Sequence, residues 1–75
     1  MNTLLQRVKA LVSDIIATSE IQQSINAGNV TKSECVQEYT TQITTGNAAA
    51  IGYYLEDCGH AELANKVDEL AQMFS

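Results

Sequence analysis

Residues 31–58, TKSECVQEYTTQITTGNAAAIGYYLEDC, decide how many helices this chain forms. The stretch opens with the clearest helix-start signal of the sequence. Thr31 followed three residues later by Glu34 is the pattern of a capping box, in which each side chain bonds the other residue's backbone N–H group. The preceding Val30 occupies the position of a hydrophobic staple. We therefore expect a helix to begin near Lys32.

The middle of the stretch, TTGN at residues 44–47, permits two interpretations. Gly46 can end one helix in the left-handed conformation, and Asn47 can cap the next. The alternative is one long helix to about Cys58, bent or closely packed at Gly46, because helical three-and-four spacing continues through the turn signal. The residues that keep this spacing are Val36, Tyr39, Ile43, Gly46, Ala50 and Tyr54. We favour the long helix, since a new helix would have no reason to preserve the old phase.

The N-terminal segment carries an apolar stripe with the same spacing, which predicts an amphipathic helix. The stripe consists of Leu4, Leu5, Val8, Leu11, Val12, Ile15 and Ile16. Polar Thr18 and Ser19 stand where apolar residues should follow, so the helix should break there. Ser19 with Gln22 three residues later indicates a second N-cap, and Gly28 can end the short helix that follows.

The C-terminal segment completes the predicted architecture. Gly59 ends the long helix, and residues 60–74 form a last helix whose inward face is Leu63, Val67, Leu70, Ala71 and Phe74. The sequence has no proline and no strand-like alternation of useful length. It therefore predicts an all-α protein: a small bundle of four helices, one of them short, with a long central helix bent at Gly46, in a single helical domain spanning residues 1–75.

Length and charge restrict the function. A chain of 75 residues buries only roughly 60% of the surface that its unfolded form exposes, so it needs efficient packing or a partner. Nine acidic and four basic residues give a net charge of −5, which repels phosphates and disfavours direct nucleic-acid binding. No membrane-spanning run or signal peptide is recognisable, so we expect a cytoplasmic protein without a membrane partner. Cys35 and Cys58 should then be free thiols.

Residues 52–63, GYYLEDCGHAEL, contain the densest set of chemically reactive side chains. Glu56, Asp57 and Cys58 are consecutive on a helix, so their side chains point about 100° apart and cannot converge on one ion. Cys58 and His60 supply at most two ligands, fewer than a zinc site takes. We expect no metal, no cofactor and no catalytic residue, and therefore no enzyme. The alternative is a small enzyme or carrier that uses Cys58 or His60.

A second alternative is a helix-turn-helix-like DNA-binding regulator, because residues 20–40 resemble that motif in outline. The reading helix would present Lys32, Ser33, Glu34, Gln37 and Glu38. Two carboxylates that face phosphates oppose DNA binding electrostatically.

Two surfaces favour contact with another protein. Thr41, Thr45, Ala48 and Gly52 form a stripe of small residues on the long helix, with Tyr53 at its edge. Small residues let a second helix approach closely, either from the same chain or from a second copy in a homodimer, which is the arrangement we expect.

The other surface is acidic and consists of Glu34, Glu38, Glu56 and Asp57. Negative charge speeds the approach to a basic target. The sequence therefore favours a protein-protein interaction module that acts as an adaptor, regulator or inhibitor by occupying the surface of another protein. Small acidic inhibitors of nucleic-acid-handling complexes, encoded by phages and mobile elements, resemble it in size and charge.

Overall fold

Five α-helices form the fold in the computed structural model, which describes residues 3–74. They are α1 (Thr3–Ile16), α2 (Ser19–Asn26), α3 (Lys32–Thr44), α4 (Ala49–Asp57) and α5 (Ala61–Gln72). Helices α1, α3 and α5 contact one another, α4 packs mainly against α5, and α2 contacts α1. The all-α prediction is confirmed. Residues 1, 2 and 75 of the predicted domain lie outside the described range.

The predicted long central helix is wrong, because the chain ends α3 at a glycine turn. Gly46 has a φ of 72°, a left-handed conformation that glycine adopts without strain. Its N–H donates to the carbonyl of Ile43 at 3.1 Å, and the N–H of Asn47 donates to the carbonyl of Gln42 at 2.9 Å. This pair of bonds is a Schellman motif, which satisfies the last carbonyls of a helix. The bundle therefore has five helices instead of four.

The second helix of this stretch begins without a side-chain cap. The N-cap residue of α4 is Ala48, and no side-chain hydrogen bond caps the helix. Asn47, the alternative cap, instead completes the turn that ends α3. The sequence signal at residues 44–47 therefore predicts the end of α3 correctly. It places the cap of the following helix at Asn47, which is one residue before the observed N-cap, Ala48.

The capping box at the start of α3 is confirmed. The N–H of Glu34 donates to Thr31 Oγ1 at 3.1 Å, and the N–H of Thr31 donates to Glu34 Oε1 at 3.1 Å. Gly28 and Gly59 end α2 and α4 as predicted, with φ values of 80° and 85°. Local sequence signals thus predict the start of α3 and the ends of α2 and α4.

The start of α2 differs from the prediction. Thr18, not Ser19, is the N-cap residue, and its hydroxyl donates to the carbonyl of Ile15 at 2.7 Å instead of capping α2. The Gln22 amide donates to the carbonyl of Ile16 at 2.9 Å. Both side chains therefore satisfy the C-terminal carbonyls of α1, and the break between the two helices falls where the apolar stripe ends.

One apolar core joins all five helices. Its buried members are Val8, Leu11, Val12, Ile15, Ile16, Ile21, Cys35, Ile43, Ala48, Ile51, Leu55, Ala64, Val67, Leu70 and Ala71. Most of the predicted stripe of α1 lies in this core: five of its seven residues are buried core members, Leu4 packs against them, and Leu5 is half-buried. The predicted phase fails in α4, where Ala50 and Tyr54 are exposed and Ile51 and Leu55 are buried.

None of the helices within residues 3–74 is both long and apolar enough to cross a membrane.

Candidate functional site

The reactive residues around Cys58 meet α2 in the folded chain. The Nε2 atom of His60, in the turn before α5, lies 2.9 Å from Oε1 of Glu20 on α2, and both side chains are about one third exposed. This hydrogen bond is the main cause that lowers the pKa of the Glu20 carboxyl. Glu20 carries no signal in the sequence that points to this contact, because it lies 40 residues before His60 and no local pattern connects the two.

The two cysteines lie in different surroundings, and both are free. Cys35 is buried in the core, and this burial raises the pKa of its thiol, with a further contribution from the carboxylates of Glu38 and Glu34. Because the thiolate is the reactive form, Cys35 is a poor nucleophile. Cys58 is half-buried and lies next to Tyr54, whose pKa is raised by burial and by a hydrogen bond with Cys58.

No larger constellation surrounds these residues. Within residues 3–74, no group of three or more His, Cys, Asp or Glu side chains is placed to hold a metal ion. The ring of His60 is engaged by Glu20. The contact of His60 with Glu20 links α2 to the turn before α5.

An open groove between α4 and α5 is a second feature of the surface. It has a volume of about 250 Å³. Its lining consists of Ala48, Ala49, Gly52, Tyr53 and Glu56 from α4 and the turn before it, and of Ala64, Asn65 and Asp68 from α5. A methyl group added at Gly52 would meet no atom within 4 Å apart from the adjoining backbone of its own helix. The floor is therefore made of small residues and stays accessible.

The α4/α5 groove is acidic. Glu56 and Asp68 line it, and no lysine, arginine or histidine does. Oδ2 of Asp68 accepts a hydrogen bond from the Gln72 amide at 3.1 Å, which leaves its other oxygen for a ligand. Tyr53 is 68% exposed, more than any other large hydrophobic side chain within residues 3–74. Carboxylates beside an accessible aromatic ring are suited to a cationic side chain.

The predicted stripe of small residues does not exist as one helix face. Ala48, Gly52 and Tyr53 lie in the α4/α5 groove, whereas Thr41 and Thr45 belong to α3 and its C-cap and are exposed. The chain turns at residues 45–48, so the two halves of the stripe are on different elements. Contact with another protein through these residues stays a prediction. Of the five, Ala48, Gly52 and Tyr53 share one surface, the α4/α5 groove.

The predicted acidic surface divides into two parts. Its residues Glu34, Glu38, Glu56 and Asp57 are all exposed, as expected. Glu34 and Glu38 lie with Thr41 along a shallow depression on α3, and Glu56 lines the α4/α5 groove. The sequence-based prediction of the acidic surface did not include Asp68, which also lines that groove. The available signal was its position four residues after Ala64, at the edge of the buried stripe of α5.

Comparison of the chain with protein-family models, with curated proteins and with solved structures finds no match. The fold and its surface define the chain only as a small all-α protein with an open acidic groove between its last two helices. Its function is therefore inferred from the geometry and charge of that groove.

Proposed function

We propose that this protein is a protein-protein interaction module that binds a basic segment of a partner protein in the α4/α5 groove. The observation that supports this function is the combination of Glu56, Asp68 and the exposed ring of Tyr53 around an open floor that carries no cation. An arginine side chain could bond a carboxylate in bidentate fashion and stack on the tyrosine ring. Its aliphatic stem would lie along the small residues of the floor.

Binding of this kind makes the protein a regulator or an inhibitor when the basic segment is itself functional. Basic surfaces are the surfaces with which proteins bind nucleic acids. An acidic module that covers such a surface would block a nucleic-acid-handling complex, which is how acidic inhibitors from phages or mobile elements would act. The net charge of −5 would also accelerate the encounter with a basic partner.

The alternative functions have less support. A small enzyme or carrier would need Cys58 or His60 for chemistry, but the ring of His60 is bonded to Glu20. A helix-turn-helix-like DNA-binding regulator would insert α3, whose first turns expose Glu34 and Glu38 to phosphates. Neither alternative is favoured by a specific contact or charge.

A defined peptide tests the proposed function. The probe is a labelled helical peptide with leucine at positions i, i+4 and i+7 and arginine or lysine elsewhere, titrated by fluorescence anisotropy and by amide chemical shifts of the protein. Replacing Glu56→Gln together with Asp68→Asn should weaken binding about three- to thirtyfold, because two exposed charge pairs are lost. Shifts should centre on Gly52, Tyr53 and neighbouring amides of the groove.

The matched control is Glu38→Gln together with Glu69→Gln, which removes the same charge from exposed positions outside the groove. This control should bind the peptide nearly as well as the wild type. Equal weakening by both double variants, or shifts centred on α3, would contradict the proposal. A pull-down from the native host with the wild type, the groove variant and the control then identifies the partner as the protein that only the groove variant fails to recover.

A further inference from the structure

A groove of opposite charge lies between α1 and α3. It has a volume of about 230 Å³, and Lys9 and Lys32 lie along it. Its apolar part is formed by Val12, Ile16 and Val36, and no aspartate or glutamate belongs to the lining. This chain has only four basic residues against nine acidic ones. Two of the four therefore border one apolar surface from which carboxylates are absent.

The two lysines are available to a ligand. Neither forms an ion pair with any carboxylate in the part of the chain that the structure describes, where the one ion pair is between His60 and Glu20. Val36 lies one helical turn after Lys32 on α3 and is 40% exposed. The groove therefore combines unpaired positive charge with an accessible apolar side chain.

The dimensions of the groove suit a helix. Its walls extend from Lys9 on α1 to Ala17, the first residue after that helix, and from Lys32 to Thr40 on α3, which is about 12 Å each at a rise of roughly 1.5 Å per residue. A helix presents apolar anchors at i, i+4 and i+7 over a similar distance. The volume is smaller than the roughly 300–1,000 Å³ of enclosed small-molecule sites. Side chains of a partner helix therefore fit better than a cofactor.

We propose that the α1/α3 groove is a second docking site, which binds an acidic amphipathic helical segment of a partner protein. The apolar side chains of that helix would contact the exposed Val36, above the buried Val12 and Ile16, and its carboxylates would pair with Lys9 and Lys32. This inference goes beyond the basic-segment site of the α4/α5 groove. With both sites, the protein is an adaptor that joins a basic segment and an acidic one.

The test uses a labelled helical peptide with leucine at i, i+4 and i+7 and glutamate at its other positions. Lys9→Gln together with Lys32→Gln should weaken binding about three- to thirtyfold. Val36→Glu should also weaken binding, because its carboxylate would repel the glutamates of the peptide. The matched control, Arg7→Gln together with Lys66→Gln, removes the same charge from the groove between α1 and α5 and should have little effect. Circular dichroism and urea denaturation verify that every variant is folded.

Saturable binding that requires Lys9, Lys32 and the leucines of the peptide supports the inference. The inference is overturned if the peptide does not bind at low salt, if the control weakens binding equally, or if glutamine in place of leucine has no effect. Binding to anionic lipid vesicles without binding to the peptide also overturns it. The basic peptide used for the α4/α5 groove reports the proposed function separately, so either site can fail while the other holds.

Discussion

The substitutions Gly52→Ala and Gly59→Ala are expected to change stability in opposite directions, although neither added methyl group contacts another part of the chain. At both positions a Cβ would have nothing within 4 Å apart from the adjoining backbone. The two sites differ in backbone conformation. Gly52 lies inside α4 and is not among the glycines with positive φ, whereas Gly59 has a φ of 85°. The comparison therefore isolates the conformational effect of the side chain from its packing.

The expected magnitudes follow from these conformations. Gly52→Ala should raise the free energy of unfolding by about 0.5–1 kcal/mol, because alanine is the better helix former. Gly59→Ala should lower it by about 1 kcal/mol, since the left-handed conformation costs roughly 1–2 kcal/mol and part of this is offset in the unfolded state. At about 4–8 °C per kcal/mol, the melting temperatures of the two variants should differ by on the order of 10 °C.

Urea denaturation followed by far-ultraviolet circular dichroism measures both changes, provided that the m-values agree. A destabilised Gly52→Ala variant would refute the reasoning, because it would mean that another surface packs against Gly52. Sedimentation equilibrium would then show whether that surface belongs to a second copy of the chain, as the predicted homodimer requires. A wild type that is monomeric at high micromolar concentration would contradict the homodimer.

The substitution Gly52→Leu distinguishes an effect on binding in the α4/α5 groove from an effect on folding. The sequence alone predicts that Gly52→Leu overpacks a helix crossing, at a cost of about 1–3 kcal/mol. In the structure no atom outside the adjoining backbone of α4 lies within 4 Å of the added Cβ, so we expect the variant to stay folded while its side chain fills the α4/α5 groove. Loss of basic-peptide binding with an unchanged helical spectrum would fit this expectation. Unfolding of a monomeric variant would contradict it.

Thr31→Ala should lower the free energy of unfolding by about 0.5–2 kcal/mol, because it removes the cap of α3; an unchanged denaturation midpoint would contradict the role of the cap. In native protein a thiol reagent should label Cys58 faster than Cys35, whose burial raises its thiol pKa. Mass spectrometry of denatured, unreduced protein should find both thiols free, and a disulfide would contradict the prediction. Glu20 has a lowered pKa in the fold, so its contribution to stability is present above the usual glutamate pKa of roughly 4.3 and disappears as pH falls through the folded value. Glu20→Gln should therefore flatten the acid limb of a stability-pH curve. Elemental analysis of untagged protein should find no stoichiometric metal, and metal lost on His60→Gln would support an enzyme.

The sequence by itself determined the elements that depend on neighbouring residues. The spacing of apolar residues specified α1 and α5, because one helical face must reach the core wherever the helix packs. The capping box at Thr31 and the glycine at position 59 act through hydrogen bonds of adjacent residues, so no knowledge of the fold is needed to predict them. The exposed carboxylates were predictable for a similar reason, since an unpaired charge stays in water.

Only the tertiary structure decided what happens at Gly46 and what the surface presents. The local signal at Gly46 is compatible with a bend or with a stop, and continued spacing favoured the bend. The stop is selected because α4 can then pack against α5 and bury Ile51 and Leu55, a non-local gain that no sequence window contains. The α4/α5 groove is a consequence of this packing, and the contact of Glu20 with His60 joins α2 to the turn before α5. Both arise between segments that are distant in sequence, and so neither could be predicted from local spacing.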